Sequence, residues 1–295
     1  MHPLPVMATT VAAYRLVARE FATVLRLSWA VLAIAALLQL FLASTVLGQM
    51  AAELGHGNIV MAAAIGRDPL WLTLKSGIEA VGTAVVAVAI HELVLFGERK
   101  PGTWVHIAFG RREALFAALG LALVAITIPF ATIVISPFGD PMTGFAPFLA
   151  TVAFVAGMYV AIRLWPILPI IVVEERLDLA KAWAMTRGRF WSLVALGLLG
   201  LIPISALMLI TDALLPPFDS LMDSITGPRV RMPHLAEAMT AVRRAQTWLP
   251  LRMLFEFLTS IIYTAVAVAL ISLSYKALLG RSFDDPLREQ DSRAP

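Results

Sequence analysis

The stretch MYVAIRLWPILPIIVVEERLDLAKAWAMTRGRFW, residues 158 to 191, sets one arginine and two prolines into an apolar run and follows them with a dense block of charge. Whether that run crosses a lipid bilayer decides the fold, and the composition of the chain bears on it directly. Hydrophobic residues make up 59% of the 295 and charged residues 15%, against roughly 45–50% and 25% in soluble domains. A soluble fold cannot hide so much apolar surface. The excess is gathered into six stretches, 28–48, 77–97, 114–136, 145–173, 190–214 and 250–279, each as long as the roughly 17–25 residues that a helix needs to cross. Lipid offers no partner to a backbone N–H, so each stretch must be helical where it meets hydrocarbon. The expected fold is all-α: a polytopic bundle of six transmembrane helices, with residues 1–280 forming one membrane domain and 281–295 a polar tail.

The basic residues sort by side. Arg15, Arg19 and Arg26 precede the first span, Arg99, Lys100, Arg111 and Arg112 lie between the second and third, Arg176, Lys181, Arg187 and Arg189 between the fourth and fifth, and Lys276, Arg281, Arg288 and Arg293 at or after the end of the sixth. The connection 137–144 carries no Lys or Arg, and that between the first two spans only Arg67. Cytoplasmic loops collect Lys and Arg, so both termini are expected in the cytoplasm. The 212–250 loop, which mixes Arg229, Arg231, Arg243 and Arg244 with Asp212, Asp219, Asp223 and Glu237, is placed outside. The first span is too long for a removable signal peptide and is expected to stay as an anchor. In such a chain the formal net charge of +3 reflects topology, and no nucleic-acid partner is expected.

Three segments enter the membrane alike, 13–32, 104–123 and 182–201, each with an aromatic, a basic cluster and then an apolar span. The exits 87–95, 159–167 and 268–276 also resemble one another, which suggests three repeats of an amphipathic helix plus two spans. In the first repeat Tyr14, Val17, Phe21 and Leu25 form one apolar stripe, with Arg15, Arg19, Glu20 and Arg26 beside it. In the third, Leu179, Trp183, Thr186 and Phe190 form the comparable face, and Gly188 can close the helix. Such helices lie at headgroup level or serve as plain connectors. Small residues, Ala153, Gly157 and Ala161, Ala118 and Ala122, and Ala265 and Ala269, are expected to form helix-packing seams.

Arg163 has two readings, because a charge at mid-bilayer costs roughly 2.5–3.5 kcal/mol and its depth depends on the prolines. If Pro166 and Pro169 break the helix, PILPIIVV is a broken half-turn at the interface, and Arg163 snorkels to phosphate beside Trp165. If 145–173 is one kinked span, Arg163 needs a partner, and the His91 and Glu92 layer, level with it by the exit alignment, offers Glu92. Lys75 with Glu79 and Arg252 with Glu256 stand at i, i+4 and read as local ion pairs; the other reading is a cation pathway lined by Glu79, Glu92 and Glu256. The candidate residues for headgroup or cavity contact are therefore Arg163, His91, Glu92, Trp165, Arg187 and Arg189.

Motifs for chemistry are mostly absent. His91 and Glu92 begin an H-E-x-x-H, but Leu95 stands where the second histidine belongs. There is no G-x-S-x-G and no phosphate-binding loop. Zero cysteines exclude disulfides and thiolate chemistry. No catalytic residue, cofactor or metal is assigned.

Residues 162–193 resemble a signature of a group of uncharacterised bacterial six-span membrane proteins, related to the membrane domain fused to some glycerophosphodiester phosphodiesterases. The positions that carry it are Arg163, Pro166, Pro169, Glu174, Trp183, Thr186, Arg187, Gly188, Phe190 and Trp191; HELVLFGE, 91–98, resembles the end of the second span in similar proteins. The resemblance implies a multi-pass protein of a bacterial inner membrane. In the fused proteins a separate soluble barrel would carry hydrolysis, so no catalytic residue transfers.

The leading expectation is a non-enzymatic inner-membrane protein that contacts lipid headgroups, or another membrane protein, in a membrane-organising or accessory role. The alternative is a small-molecule or lipid transporter with a cavity between three helical hairpins. A tag fused after Pro295 is expected to stay unreachable by an impermeant reagent in intact cells and to react once they are opened; labelling of intact cells would invert the topology.

Overall fold

The computed structural model describes residues 4–66, 68–97, 109–135, 145–214, 235–283 and 285–287. Among them the chain is all-helical: α1 (Val6–Arg19), α2 (Phe21–Gly55), α3 (Ile59–Gly66), α4 (Pro69–Phe96), α5 (Arg111–Ile135), α6 (Phe145–Arg163), α7 (Ile167–Glu174), α8 (Leu179–Met185), α9 (Phe190–Leu214) and α10 (Leu235–Leu278). Among the described residues five segments are long and apolar enough to cross a membrane: Phe21–Gly55, Ile59–Phe96, Thr151–Glu174, Phe190–Ile210 and Leu235–Leu278. The third expected span, 114–136, falls on α5, whose side chains from 126 to 135 lie outside the described residues, as do residues 104–108 of the second expected entry segment.

Local chemistry sets the helix limits. Asp68 caps α4 by accepting from the Leu70 N–H at 2.9 Å, with Pro69 at the first position, where its missing N–H costs nothing. Gly97 closes the same helix at φ 70° and donates its N–H to the Leu93 carbonyl, a conformation that suits glycine. Between α6 and α7 the chain turns at 164–166, because Pro166 has no N–H to give and its ring crowds the preceding turn. Pro169 does not extend the break. It is the third residue of α7, where an N–H would have no partner within the helix, so PILPIIVV forms a true helix rather than a half-turn at an interface. That helix is buried, with Ile170, Ile171 and Val172 fully enclosed, and it packs against α4, α5 and α10.

The bundle has a centre. α4 touches α2, α5, α7 and α10, and α10 touches α1, α2, α4, α7 and α9. Every residue of α4 from Ala84 to Leu95 is buried. Helices in lipid gain little by hiding apolar surface from one another and associate through close contact instead, and small residues make that possible. A Cβ on Gly82 would lie 3.2 Å from Ala35 of α2, and one on Gly120 of α5 would lie 3.3 Å from Ala80 of α4. The expected seam in α10 is present, with Ala265 and Ala269 buried. Those in α5 and α6 are not: Ala118, Ala122, Gly157 and Ala161 are exposed, and nothing lies within 4 Å of a Cβ on Gly157. α5 turns its one glycine, Gly120, to α4 instead, and α6 touches only α5 and α9 among the strongly packed pairs.

The continuous stripe expected from Tyr14 to Leu25 is broken at Glu20, which ends α1 and starts α2. Ala13 and Val17 go inward, while Phe21 and Leu25 face out. α1 is accordingly a packed member of the bundle, wedged against α9 and α10. Pro203 inside α9 leaves the helix short of an N–H at this level, and the Tyr14 hydroxyl donates to the neighbouring Gly200 carbonyl at 2.7 Å. Burial pushes the Tyr14 phenol above its ordinary pKa, so it stays a neutral donor.

α2 and α10, with 35 and 44 residues, run about 52 and 66 Å, well beyond a hydrocarbon core of about 30 Å. Their surplus lies at the end where α4 begins. There Leu47, Met50 and Leu54 of α2, Ala62 of α3, Trp71 of α4 and Val242 of α10 form a second core. This end is the top of the bundle, and the end carrying α1 and the close of α10 is the base.

Gly200 is where α1, α9 and α10 meet. A Cβ there would fall well inside van der Waals contact with Leu270, which is fully buried. Gly200→Val is expected to lower stability by about 1–3 kcal/mol, and Tyr14→Phe by about 0.5–1.5 kcal/mol, read as thermal midpoints of the detergent-solubilised protein. Unchanged midpoints in both would remove α1 from the packed bundle.

Candidate functional site

The base holds a buried polar layer built on the last turns of α4. His91 is fully enclosed, its ring tilted against Phe116 at 6.0 Å. Its Nδ1 lies 2.7 Å from Ser272 Oγ of α10, and that hydroxyl lies 2.8 Å from the Val268 carbonyl. Both contacts are hydrogen bonds only if Ser272 donates to the carbonyl and the imidazole Nδ1–H donates to Ser272. In the neutral ring Nε2 is then a bare acceptor, and it has no hydrogen-bond partner among the described residues.

One residue on, Glu92 is 6% exposed and accepts from Arg112 at 2.8 Å, while Arg112 Nε donates to Glu175 at 3.1 Å. One guanidinium thus ties the end of α4, the start of α5 and the close of α7. Each end of the tie is positioned locally. Glu113 reaches back to the Gly110 N–H at 2.8 Å, the reciprocal half of a capping box, and so fixes the first turn of α5. Glu175 caps α7 at φ 53°, the one positive φ among described non-glycine residues, a conformation that costs about 1 kcal/mol or more and persists where neighbours hold it.

The connection from α7 to α8 is saturated with charge. Glu174 bonds Lys181 and accepts from Arg176 Nε at 2.8 Å; that hydrogen bond holds Arg176 above its ordinary pKa. Arg176 also reaches Asp178 at 3.3 Å, and Asp178 caps α8 by accepting from the Lys181 N–H. Arg163, at the close of α6, is buried at 6% exposure, with its guanidinium carbon 4.6 Å from the centroid of the Trp183 ring. Its backbone carbonyl accepts from Thr186 at 2.9 Å, which pins α8 to α6. Trp165 packs on α9, where a Cβ on Gly197 would lie 3.3 Å from the indole. Arg187 is exposed, and Arg189 donates to the Leu278 carbonyl, tying α9 to the close of α10 at 3.3 Å.

Toward the top, α2, α4, α9 and α10 enclose a cavity of about 600 Å³. Apolar walls from Leu32, Ala35 and Phe257 alternate with Gln39, Thr83, Thr259, Ser260, Tyr263 and Thr264, and four ionisable side chains enter it: Lys75, Glu79, Arg252 and Glu256. Arg252 bonds Glu256. Glu79 makes no ion pair or hydrogen bond among the described residues, so the expected Lys75–Glu79 pair is not formed. With the cation on the N-terminal side, that spacing is the weaker of the two orders. A pathway joining Glu79 to Glu92 is closed too: the 13-residue step from one to the other spans about 20 Å along α4, and α4 is enclosed over Ala84–Leu95.

The predicted residues thus divide. His91 and Glu92 share one layer of α4 and α10 near the base, while Arg163 and Trp165 sit at the break between α6 and α7. Glu92 serves Arg112 rather than Arg163. Ser272, Arg112 and Glu175 complete the layer without standing out in the sequence; the paired arginines 111–112 and glutamates 174–175, each beside an apolar helix, are the signals that could have found them. Set against family models, curated proteins and solved structures, the chain matches none.

Proposed function

We propose that the protein crosses a bacterial inner membrane six times, with α5 as the third crossing and the base in the cytoplasm, and that it binds a small polar or zwitterionic molecule in the cavity near the top as the loading step of a transporter. The observation that carries this reading is the cavity itself: about 600 Å³, with two cationic and two carboxylate side chains among apolar walls. Ionisable groups in a membrane segment are costly and mark solute paths by default, and pockets of a few hundred Å³ with a few convergent polar groups suit small ligands. The cavity lies between the α2/α4 and α9/α10 hairpins, not among three. On this reading the His91 and Glu92 layer is the closed side. No reaction is assigned, and the resemblance to the phosphodiesterase membrane domain supplies no residue to it.

A second reading, the membrane-organising role, is favoured by a different feature. Tyr159, Trp183 and Trp191 are 44%, 40% and 77% exposed around the base, as interfacial anchors are.

The chain has no cysteine, so single-cysteine variants report cleanly. Thr83→Cys and Ser260→Cys are expected to react with an impermeant maleimide added to spheroplasts, and Ser272→Cys to stay unlabelled. Native mass spectrometry of the gently solubilised protein is expected to find a small molecule that Arg252→Ala releases. Unreactive cavity positions together with a bare protein would overturn the reading.

A further inference from the structure

Arg163 is a buried cation with no ion pair among the described residues. Its Nε is enclosed and has no hydrogen-bond partner among the described residues. The nearby carboxylates are engaged elsewhere: Glu92 and Glu175 by Arg112, Glu174 by Lys181 and Arg176, and Asp178 by Arg176. The Trp183 face supplies a cation–π contact, worth about 0.5–2 kcal/mol. An uncompensated buried charge costs more than that. Two residues on, Trp165 Nε1 is a second buried donor without a partner. The turn 164–166, which exists because of Pro166, thus presents two orphaned donors of different residues, and no neighbouring helix among the described residues supplies an acceptor to either.

We propose that this turn is a phosphate site, and that its occupant is the headgroup phosphate of a phospholipid. A guanidinium fork matches the oxygens of a phosphate in pairs, and an indole N–H adds a donor to a third. The setting selects the lipid. Tyr159 and Trp183 stack edge to face at 5.9 Å, Tyr159 meets Phe190 at 5.0 Å, and Phe190 meets Trp191 at 5.2 Å, so a partly exposed aromatic cluster runs on from the Trp183 face that holds the arginine, as such rings do at headgroup level. Arg187 is exposed on the turn after Thr186 and adds positive charge, which favours an anionic lipid. α6, leading into the turn, offers apolar exposed side chains, Met158, Val155 and Phe154 among them, along which acyl chains can lie. This site stands on α6, α8 and α9 and does not depend on the cavity.

The full chain is reconstituted in nanodiscs of phosphatidylcholine with or without phosphatidylglycerol, and lipid retained after release is counted by native mass spectrometry. The wild type is expected to keep one phosphatidylglycerol in preference to phosphatidylcholine. Arg163→Gln is expected to lower that retention about tenfold or more. Trp165→Phe keeps a ring against Gly197 and removes only the N–H, and is expected to lower retention by a smaller factor; it carries the test if Arg163→Gln fails to fold. Inorganic phosphate added to lipid-stripped protein separates the sources. A rise in thermal midpoint in the wild type alone, without selective lipid retention, would keep the oxyanion site and overturn its lipid occupant. Equal retention in all three proteins, with no response to phosphate, would overturn the site altogether.

Discussion

A carboxylate at the centre of a membrane bundle has to be matched, and the match that Glu92 finds orders much of this protein. Glu92 sits on the helix that every neighbour encloses, where an unpaired charge would cost several kcal/mol. Arg112 answers it from the first turn of α5 and holds Glu175 at the same time. The pair is local at neither end: 20 residues separate Glu92 from Arg112, and 63 separate Arg112 from Glu175. It therefore fixes where α5 enters relative to α4 and where α7 must stop. With α7 stopped there, its apolar residues fill the space between α4, α5 and α10.

Much of this can be read from the letters, and the remainder has identifiable causes. Hydrophobic excess gathered in runs gives all-helical spans, because lipid leaves the backbone no other way to satisfy itself; α9 matches its expected limits of 190–214. Proline marks the break after Arg163. The extent of that break is misjudged from spacing alone, because the cost of Pro169 depends on its position within α7, and spacing does not fix where α7 begins. The α1 stripe is legible as amphipathic, but periodicity cannot see the turn at Glu20 that sends its two halves to opposite environments. Small-residue seams are half right for a similar reason: Ala265 and Ala269 are packed and Gly157 is not, and a seam is used only where topology brings a partner.

For the polar residues, the sequence singles out candidates but does not place their partners. His91, Glu92, Arg163 and Trp165 stand out because polar groups in an apolar run are few. Their partners come from elements distant in the chain. Level along the membrane normal puts Arg163 near Glu92, but level says nothing about rotation about the helix axis, and Arg112 takes the carboxylate. The charged block 174–181 then closes on itself, which strands Arg163 on the face of Trp183.

Both ends of the bundle carry open space, about 860 Å³ at the base beside Arg15, Arg19, Leu93 and Lys276 and about 600 Å³ toward the top, and packed helix separates them. At the top, α2 and α10 outrun the bilayer, and between them and α4 an ionisable cavity stays open down to Thr83. Below it α4 is enclosed for 12 residues, Ala84–Leu95, about 18 Å of packed helix, and at its foot His91 meets Ser272 and Glu92 meets Arg112 in direct hydrogen bonds. A passage through the base would have to part these contacts together, since Arg112 serves Glu92 and Glu175 with one side chain. Turns and prolines that could absorb such a motion lie around this core: Glu20 between α1 and α2, 164–166 between α6 and α7, Pro203 in α9 and Pro250 in α10. None lies within the enclosed stretch of α4. Any opening would leave the central helix in place and move the others around it, and a ligand in the cavity could favour that state only through a difference in its affinity for the two arrangements.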